Sequence, residues 1–194
     1  AKDLESQKKI LPVVLQQTSR MENIVNDLLS LSRIELQEHI RPNEKVNLND
    51  IISHSIELHQ EILKKNNIEC QFERESKNVK INGDRNRLIE VFNNLIDNGI
   101  KYSEKNKKIT ITTKSENKNF LVTIKDQGIG ISKENIPQVT ERFFRVDPAK
   151  SKEVGGTGLG LAIVKHIVNQ HRAEMTISSE INKGTEISLN FPTI

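Results

Sequence analysis

The sequence predicts an α/β domain carried behind one long helix. Three observations predict it: an apolar period of three and four over the first 36 residues, short β-patterned runs alternating with helical ones from residue 48 onward, and a glycine-dense loop, Gly155-Gly156-Thr157-Gly158-Leu159-Gly160, opening a further helix. A length of 194 residues holds one ordinary domain plus an appendage, and a hydrophobic content of 35% is sufficient for a packed core.

Residues 3–36 read as a single helix in which Leu11, Val14, Thr18, Met21, Val25, Leu28 and Ser32 recur at alternating steps, flanked by Ile10, Ile24, Leu29 and Leu31. A stripe this wide needs a partner. Pro12 removes a backbone donor and is expected to kink or restart the helix near its beginning. Over 37–47 the period is lost and Pro42 intervenes, which predicts a linker and divides the chain into 1–36, 37–47 and 48–194. Asn49 or Asp50 is expected to cap a helix over 50–65, with short strands near 68–73 and 79–82 after it. Asp84 then caps a helix reaching Lys101, and the runs 109–114 and 120–126 form a hairpin through the polar turn 115–119. The segment 127–157 shows only a short helical piece, and structureless stretches of that length are commonly active-site lids. A helix over 158–170 and strands over 174–179 and 185–190, around the turn at Gly184, complete the sheet.

Composition narrows the functional classes. No apolar run approaches the roughly 18 to 20 residues of a bilayer span and no signal-peptide pattern opens the chain, so a soluble piece is expected, with a membrane segment upstream left open. Cys70 is the sole cysteine, which suits a reducing, cytoplasmic setting and argues against structural zinc. A net charge of +3 forms no basic stripe, so no nucleic-acid partner is expected, and Lys105, Lys107 and Lys108 read as a solvated turn.

The chemistry-bearing residues begin with the glycine loop, whose bare N–H groups at a helix mouth suit an anion such as phosphate. It lacks the Gly-Lys-Ser/Thr of a P-loop and the G-x-G-x-x-G order of dinucleotide folds and protein kinases, so a third kind of nucleotide site is indicated. On the helix 85–101, Glu90, Asn94, Asn98 and Tyr102 share one face with Lys101 beside them, while Leu88, Val91, Phe92, Leu95 and Gly99 form the core side. Two amides at this spacing suit a magnesium ion shared with phosphates, although a plain solvated face fits them as well. Asp126 stands in phase with Phe120, Val122 and Ile124, so its carboxylate needs a partner such as an exocyclic amine. Gly128 and Gly130 would let a flat ligand approach, or the pentapeptide 126–130 is only a strand-ending turn. Phe143 and Phe144, among Arg142, Arg145 and Asp147, put apolar mass and cations on the lid; Arg145 could reach a terminal phosphate, and the rings could tuck the lid down. Thr185 could meet adenine, or Asp126 through water.

These pieces occur in a fixed order: Asn94 to Ser103, Asp126 to Gly130, Glu141 to Asp147 and Gly156 to Leu161, with Gly184-Thr185 last. The order resembles the N, G1, F and G2 boxes of bacterial sensor histidine kinases, and the run Arg20 to Glu35 resembles the second helix of their dimerisation domain, especially in phosphate-regulon sensors. The resemblance implies a two-layer α/β sandwich of the histidine kinase and gyrase type that binds ATP and Mg2+. It implies that Asn98 coordinates magnesium with help from Asn94, and that Lys101, Tyr102 and Arg145 contact the phosphates. It further implies that Asp126 and Gly130 hold adenine, with Gly128 and Thr185 beside them, and that Gly156, Thr157, Gly158, Leu159, Gly160 and Leu161 wrap the triphosphate. Gly99 stands where alanine is usual, and Ala173 where glycine often follows His-Arg.

None of His39, His54, His59, His166 and His171 has the neighbourhood of a phosphoacceptor, so the chain is expected to be a fragment of a longer sensor that begins after the phosphorylated helix. The resemblance implies a homodimeric, membrane-anchored parent whose cytoplasmic portion passes phosphate to a response regulator. Asn94 occupies the place of the water-activating glutamate of hydrolytic relatives, which disfavours fast hydrolysis and leaves Glu90 as the rival base. A gyrase-like ATPase and a non-catalytic nucleotide-binding or dimerisation module are the competing readings.

Overall fold

In the computed structural model the described residues are 2–37, 39–76, 79–147 and 155–194, with side chains described from 10 onward except at 16. The first helix, α1, runs unbroken over Lys2–Leu36 with Pro12 inside it, so the expected restart does not occur. The ribbon strand β1 (Lys45–Val46) follows, then α2 (Leu48–Leu58), α3 (Gln60–Lys65), β2 (Glu69–Glu73) and β3 (Ile81–Asn82). Next come α4 (Arg85–Tyr102), the hairpin β4 (Lys108–Glu116) and β5 (Asn119–Lys125), α5 (Gly160–Gln170), β6 (Glu174–Glu180) and β7 (Gly184–Pro192).

Five strands form one sheet in the order β2-β4-β5-β7-β6, with only the β2–β4 pair parallel, while β1 and β3 make a small antiparallel ribbon. Alternation dictates the sheet's two faces: Ile109 and Ile111 of β4, Phe120, Val122 and Ile124 of β5, and Ile187, Leu189 and Phe191 of β7 are all buried. Against them α4 packs Leu88, Val91, Phe92, Leu95 and Ile96, flanked by Ile51 and Ile52 of α2 and by Ile163, Val164, Ile167 and Val168 of α5. The result is a two-layer sandwich of helices on one sheet face.

Several boundaries differ from expectation for visible reasons. The expected helix 50–65 is two helices capped by Asn47, whose side chain accepts from the Asn49 N–H. Asn49 is buried instead, accepting from Thr113 Oγ1 at 2.9 Å and donating to the Glu75 carbonyl at 3.1 Å. The break falls at His59, whose ring Nδ1 lies 2.8 Å from the Ser55 carbonyl. Asp84 caps α4 as expected, its Oδ1 accepting from the N–H groups of Asn86 and Arg87. The β4–β5 turn is tighter than 115–119, because the strands run on until only Asn117 and Lys118 are left and Asn117 takes φ 54°. After α5, Arg172 takes the left-handed position at φ 54°, so Ala173 has no need of glycine. At Gly99, a Cβ would stand 2.9 Å from Ile109 Cδ1, and the missing methyl makes room for that side chain.

The segment 37–47 is tied to the domain. Gln170 Nε2 donates to the carbonyls of Gln37 and Ile40, and Arg41 Nη1 donates to those of Asn169 and Gln170. Upstream, α1 lays its last turns on α5 and buries Leu31 and Ile34, whereas Leu11, Val14, Met21, Val25 and Leu28 of the expected stripe are exposed. The docking surface of α1 is therefore a neighbouring face, with Ile34 one of its anchors. Among the described residues no helix is long and apolar enough to cross a membrane.

Candidate functional site

Between α4, the loop after β5, the lid and the glycine loop lies a cavity of about 380 Å³, within the range of small-molecule sites. Asp126 marks one end. It leaves the end of β5, its N–H donates to the Thr185 carbonyl, and its Oδ1 accepts from the N–H groups of Gly128 at 2.8 Å and Thr185 at 3.1 Å. Both bonds fall on Oδ1, which leaves Oδ2 as the acceptor for a ligand. Burial raises its pKa above the usual carboxylate value, and the two backbone N–H groups offset part of that rise. Thr185 reaches Asp126 directly through its backbone N–H, and its hydroxyl lies 2.9 Å from Ser179 Oγ.

The glycines beside Asp126 also make room for the protein's own backbone. A Cβ at Gly128 would stand 2.5 Å from the Tyr102 carbonyl oxygen, and one at Gly130, where φ is 68°, would stand 2.0 Å from that of Glu180. Gly130 is part of the cavity wall and Gly128 is not. The loop is seated by Ile129, whose N–H donates to Tyr102 and whose carbonyl accepts from Asn182.

Along α4 the wall is Asn94, Asp97, Asn98, Lys101 and Tyr102. Asn94 donates to the Glu90 carbonyl at 2.9 Å, which turns its Oδ1 toward Gly160, where a Cβ would come within 2.7 Å of that oxygen. Lys101 pairs with Asp97 at 2.6 Å. Glu90 is outside the cavity wall: Oε1 accepts from Ser30 Oγ and Oε2 from Arg87 Nη1, so the rival base is engaged elsewhere.

On the lid, Arg145, Phe144 and Asp147 face the cavity, while Phe143 is 55% exposed. The Phe143 N–H donates to the Gly158 carbonyl at 2.8 Å, fastening the lid backbone to the glycine loop. Of the two rings, Phe144 is the one that tucks in. Lid residues 148–154 lie outside the described residues. Gly156, Thr157, Gly158, Gly160 and Leu161 line the cavity, but Leu159 is fully buried in the core. Thr157 Oγ1 accepts from the Leu159 N–H, and α5 begins without a side-chain cap from Leu159.

Three wall residues were not among the expected site residues: Asn23, Asn26 and Asp27 of α1, of which Asp27 lies near Lys101 and Thr157. Burial raises the Asp27 pKa; the neighbouring Thr157 hydroxyl and Lys101 act against that rise, and Glu90 and Asp97 add to it. The available signal was a polar stripe, Asn23, Asn26, Asp27 and Ser30, at the same three- and four-residue spacing as the apolar one. Glu35 meets both Arg142 and, at 3.5 Å, His166 Nε2. Among the described residues no cluster of three or more His, Cys, Asp or Glu could hold a metal. A divalent ion here would need phosphate oxygens in its shell, and the hard amide oxygens of Asn94 and Asn98 fit that arrangement.

Residues 83–194 match the family of histidine kinase-, DNA gyrase B- and HSP90-like ATPases. Across its whole length the chain is 32% identical to the sensor-like histidine kinase SenX3 of Mycobacterium tuberculosis, covering 47% of that protein. It is 33% identical over 94% of its length to the phosphate regulon sensor protein PhoR of Pseudomonas aeruginosa, covering 41% of it. The chain thus spans less than half the length of these relatives. Among solved structures, histidine kinase ThkA in complex with the response regulator protein TrrA is similar at a TM-score of 0.73 and 25% identity, over 98% of this chain and 52% of that one.

Proposed function

Since the chain belongs to the family of histidine kinase-, DNA gyrase B- and HSP90-like ATPases, we propose that it is the ATP-binding catalytic portion of a two-component sensor histidine kinase, with part of the dimerisation domain at residues 1–36. The observation that carries this reading is the single cavity wall joining the half-buried Asp126 to the glycine loop at the mouth of α5, with Asn94, Asn98 and Lys101 between them. In this reading Asp126 Oδ2 accepts a hydrogen bond from the adenine amine, with Gly130 and Thr185 beside it. Lys101, Tyr102 and Arg145 contact the phosphates, the two cations neutralising charge and the phenol donating a hydrogen bond, and the loop 156–161 supplies N–H groups and the Thr157 hydroxyl. Asn94 and Asn98 hold magnesium, which, when bound, offsets charge on the transferred phosphoryl group.

Catalysis of this kind rests on positioning and charge stabilisation, and the residues at hand supply both. An amide at Asn94 takes no proton at neutral pH, and Glu90 is turned to Ser30 and Arg87, so neither residue is poised to activate water. That disposition favours transfer to a protein acceptor over a gyrase-like ATPase. The acceptor histidine is assigned to another segment of a homodimeric, membrane-anchored parent, the response regulator to a separate protein, and this portion to the cytoplasm.

Incubation with γ-labelled ATP and magnesium tests the reading. The chain alone should incorporate no acid-labile phosphate, and a separate polypeptide carrying the parent's phosphoacceptor helix should become labelled when added. Turnover above about one per second in the absence of that polypeptide would favour an ATPase instead.

A further inference from the structure

The contact between Asp27 and Thr157 joins two parts of the molecule that the kinase reading uses separately. Thr157 belongs to the loop assigned to the triphosphate, yet a carboxylate of α1 stands beside it in the same cavity wall. That carboxylate lies in the cavity wall together with Gly155, Gly156, Gly158 and Gly160, near the uncapped first turn of α5. A hydroxyl donor, a glycine loop and a helix mouth are the surroundings that suit a phosphate oxygen. Asp27 thus stands as an internal anion at the phosphate end of the cavity.

The charges around Asp27 agree with that description. Lys101 attracts it, while Glu90 and Asp97 repel it. Its position is enforced by contacts further along α1: Ser30 Oγ donates to Glu90 and accepts from Arg87 Nη1 at 3.1 Å, Glu35 pairs with Arg142 and His166, and Leu31 and Ile34 are buried. The helix is therefore latched from residue 27 to residue 35, with the carboxylate at its cavity end.

We propose that Asp27 occupies, in the α1-docked state, a place that a nucleotide phosphate oxygen takes in the loaded state, so that α1 docking and triphosphate binding exclude one another. The inference rests on the nucleotide reading of the cavity. Adenine binding at Asp126 lies at the other end and is compatible with either position of α1. The site therefore discriminates ligands by how much phosphate charge they bring to Thr157, and a ligand carrying the triphosphate releases the helix. Asp27 acts here as a specificity-determining residue.

The test is calorimetric titration of the full chain and of Asp27→Asn with adenosine, ADP and ATP, the nucleotides with magnesium. Asparagine keeps the shape and removes the charge. The substitution should tighten ATP by roughly tenfold, the scale of removing one like charge at a half-buried site, should tighten ADP less, and should leave adenosine within about twofold. Hydrogen exchange supplies a second readout: ATP should speed exchange in residues 20–36 of the unsubstituted chain, and adenosine should not. ATP affinity that is unchanged or weaker in Asp27→Asn, with adenosine still bound, overturns the proposal while sparing the nucleotide reading. Failure of both proteins to bind adenosine or ADP overturns that reading and this one with it.

Discussion

Replacing Asp126 by asparagine separates recognition from folding, because the two carboxylate oxygens have different work. Oδ1 accepts from the N–H groups of Gly128 and Thr185, and an asparagine Oδ1 can still accept from both, though more weakly without the charge. Oδ2 becomes an amide Nδ2, a donor facing the donor amine of the base. The lost charge-assisted hydrogen bond costs about 1.5 to 3 kcal/mol, and two donors left face to face add about 1 to 3. Adenine-nucleotide affinity should therefore fall by about 2.5 to 6 kcal/mol, roughly 10² to 10⁴ in Kd. Stability should move little or rise: burial raises the Asp126 pKa, so the ionised carboxylate weakens the folded state at neutral pH, and a neutral amide removes that penalty. Isothermal titration with ATP and with ADP, alongside thermal unfolding, checks both halves. Affinity within twofold of the parent chain would remove Asp126 from the site, and loss of binding together with loss of the folded signal would show that the carboxylate is structural.

Three further outcomes are expected. His171 is buried with Nε2 accepting from the Asp84 N–H at 3.0 Å and Nδ1 donating to the Ile167 carbonyl, and burial lowers its pKa below 6.5. A depressed histidine contributes stability that is fully present above about pH 6.5 and is lost as pH falls below it through the folded-state value, so urea unfolding at pH 7.5 and 5.5 should show a decline that His171→Gln flattens; equal slopes would contradict it. The exposed apolar residues Leu11, Val14, Met21, Val25 and Leu28 should drive whatever self-association occurs, and a sedimenting dimer that survives Leu28→Lys would place the contact elsewhere. Truncating Ile34 to alanine, which empties a fully buried position between α1 and α5, should cost about 2 to 4 kcal/mol in unfolding experiments, and a change below about 0.5 would show that the docked turns of α1 are marginal.

Much of the fold was legible where a short-range rule decides the outcome. The Asp84 cap, the core face of α4 and the alternation in β4, β5 and β7 depend on residues at most four positions apart. The Asn47 cap was missed because Asn49 and Asp50 look equally able, and only the buried bonds of Asn49 to Thr113 and Glu75, from strands or loops 26 and 64 positions away, remove it from the choice. At the site, the in-phase Asp126 and the α4 amides were readable from periodicity. The ties of Gly128 to Tyr102 and of Gly130 to Glu180 were not, since a glycine says that space is scarce without saying what fills it. Asp27 escaped for a related reason: the apolar stripe of α1 drew the reading toward a partner helix, while the polar stripe beside it faces the cavity.

The clamp at the far end of α5 has a mechanical consequence. Gln170 and the backbone of Asn169 are fastened to residues 37–41, and the first turn of the same helix carries the glycine loop. Eleven helical residues make a rod about 16 Å long, and a rod gripped at one end moves at the other. A twist or pull arriving along α1 meets α5 at the buried turn of Leu31 and Ile34 and again at residues 37–41, and is delivered, through an element too stiff to absorb it, to the loop around Thr157. The strand-side wall at Asp126 is tied instead to Thr185 of the sheet. The cavity is thus built with one fixed jaw and one movable jaw, and the handle of the movable one lies outside the pocket.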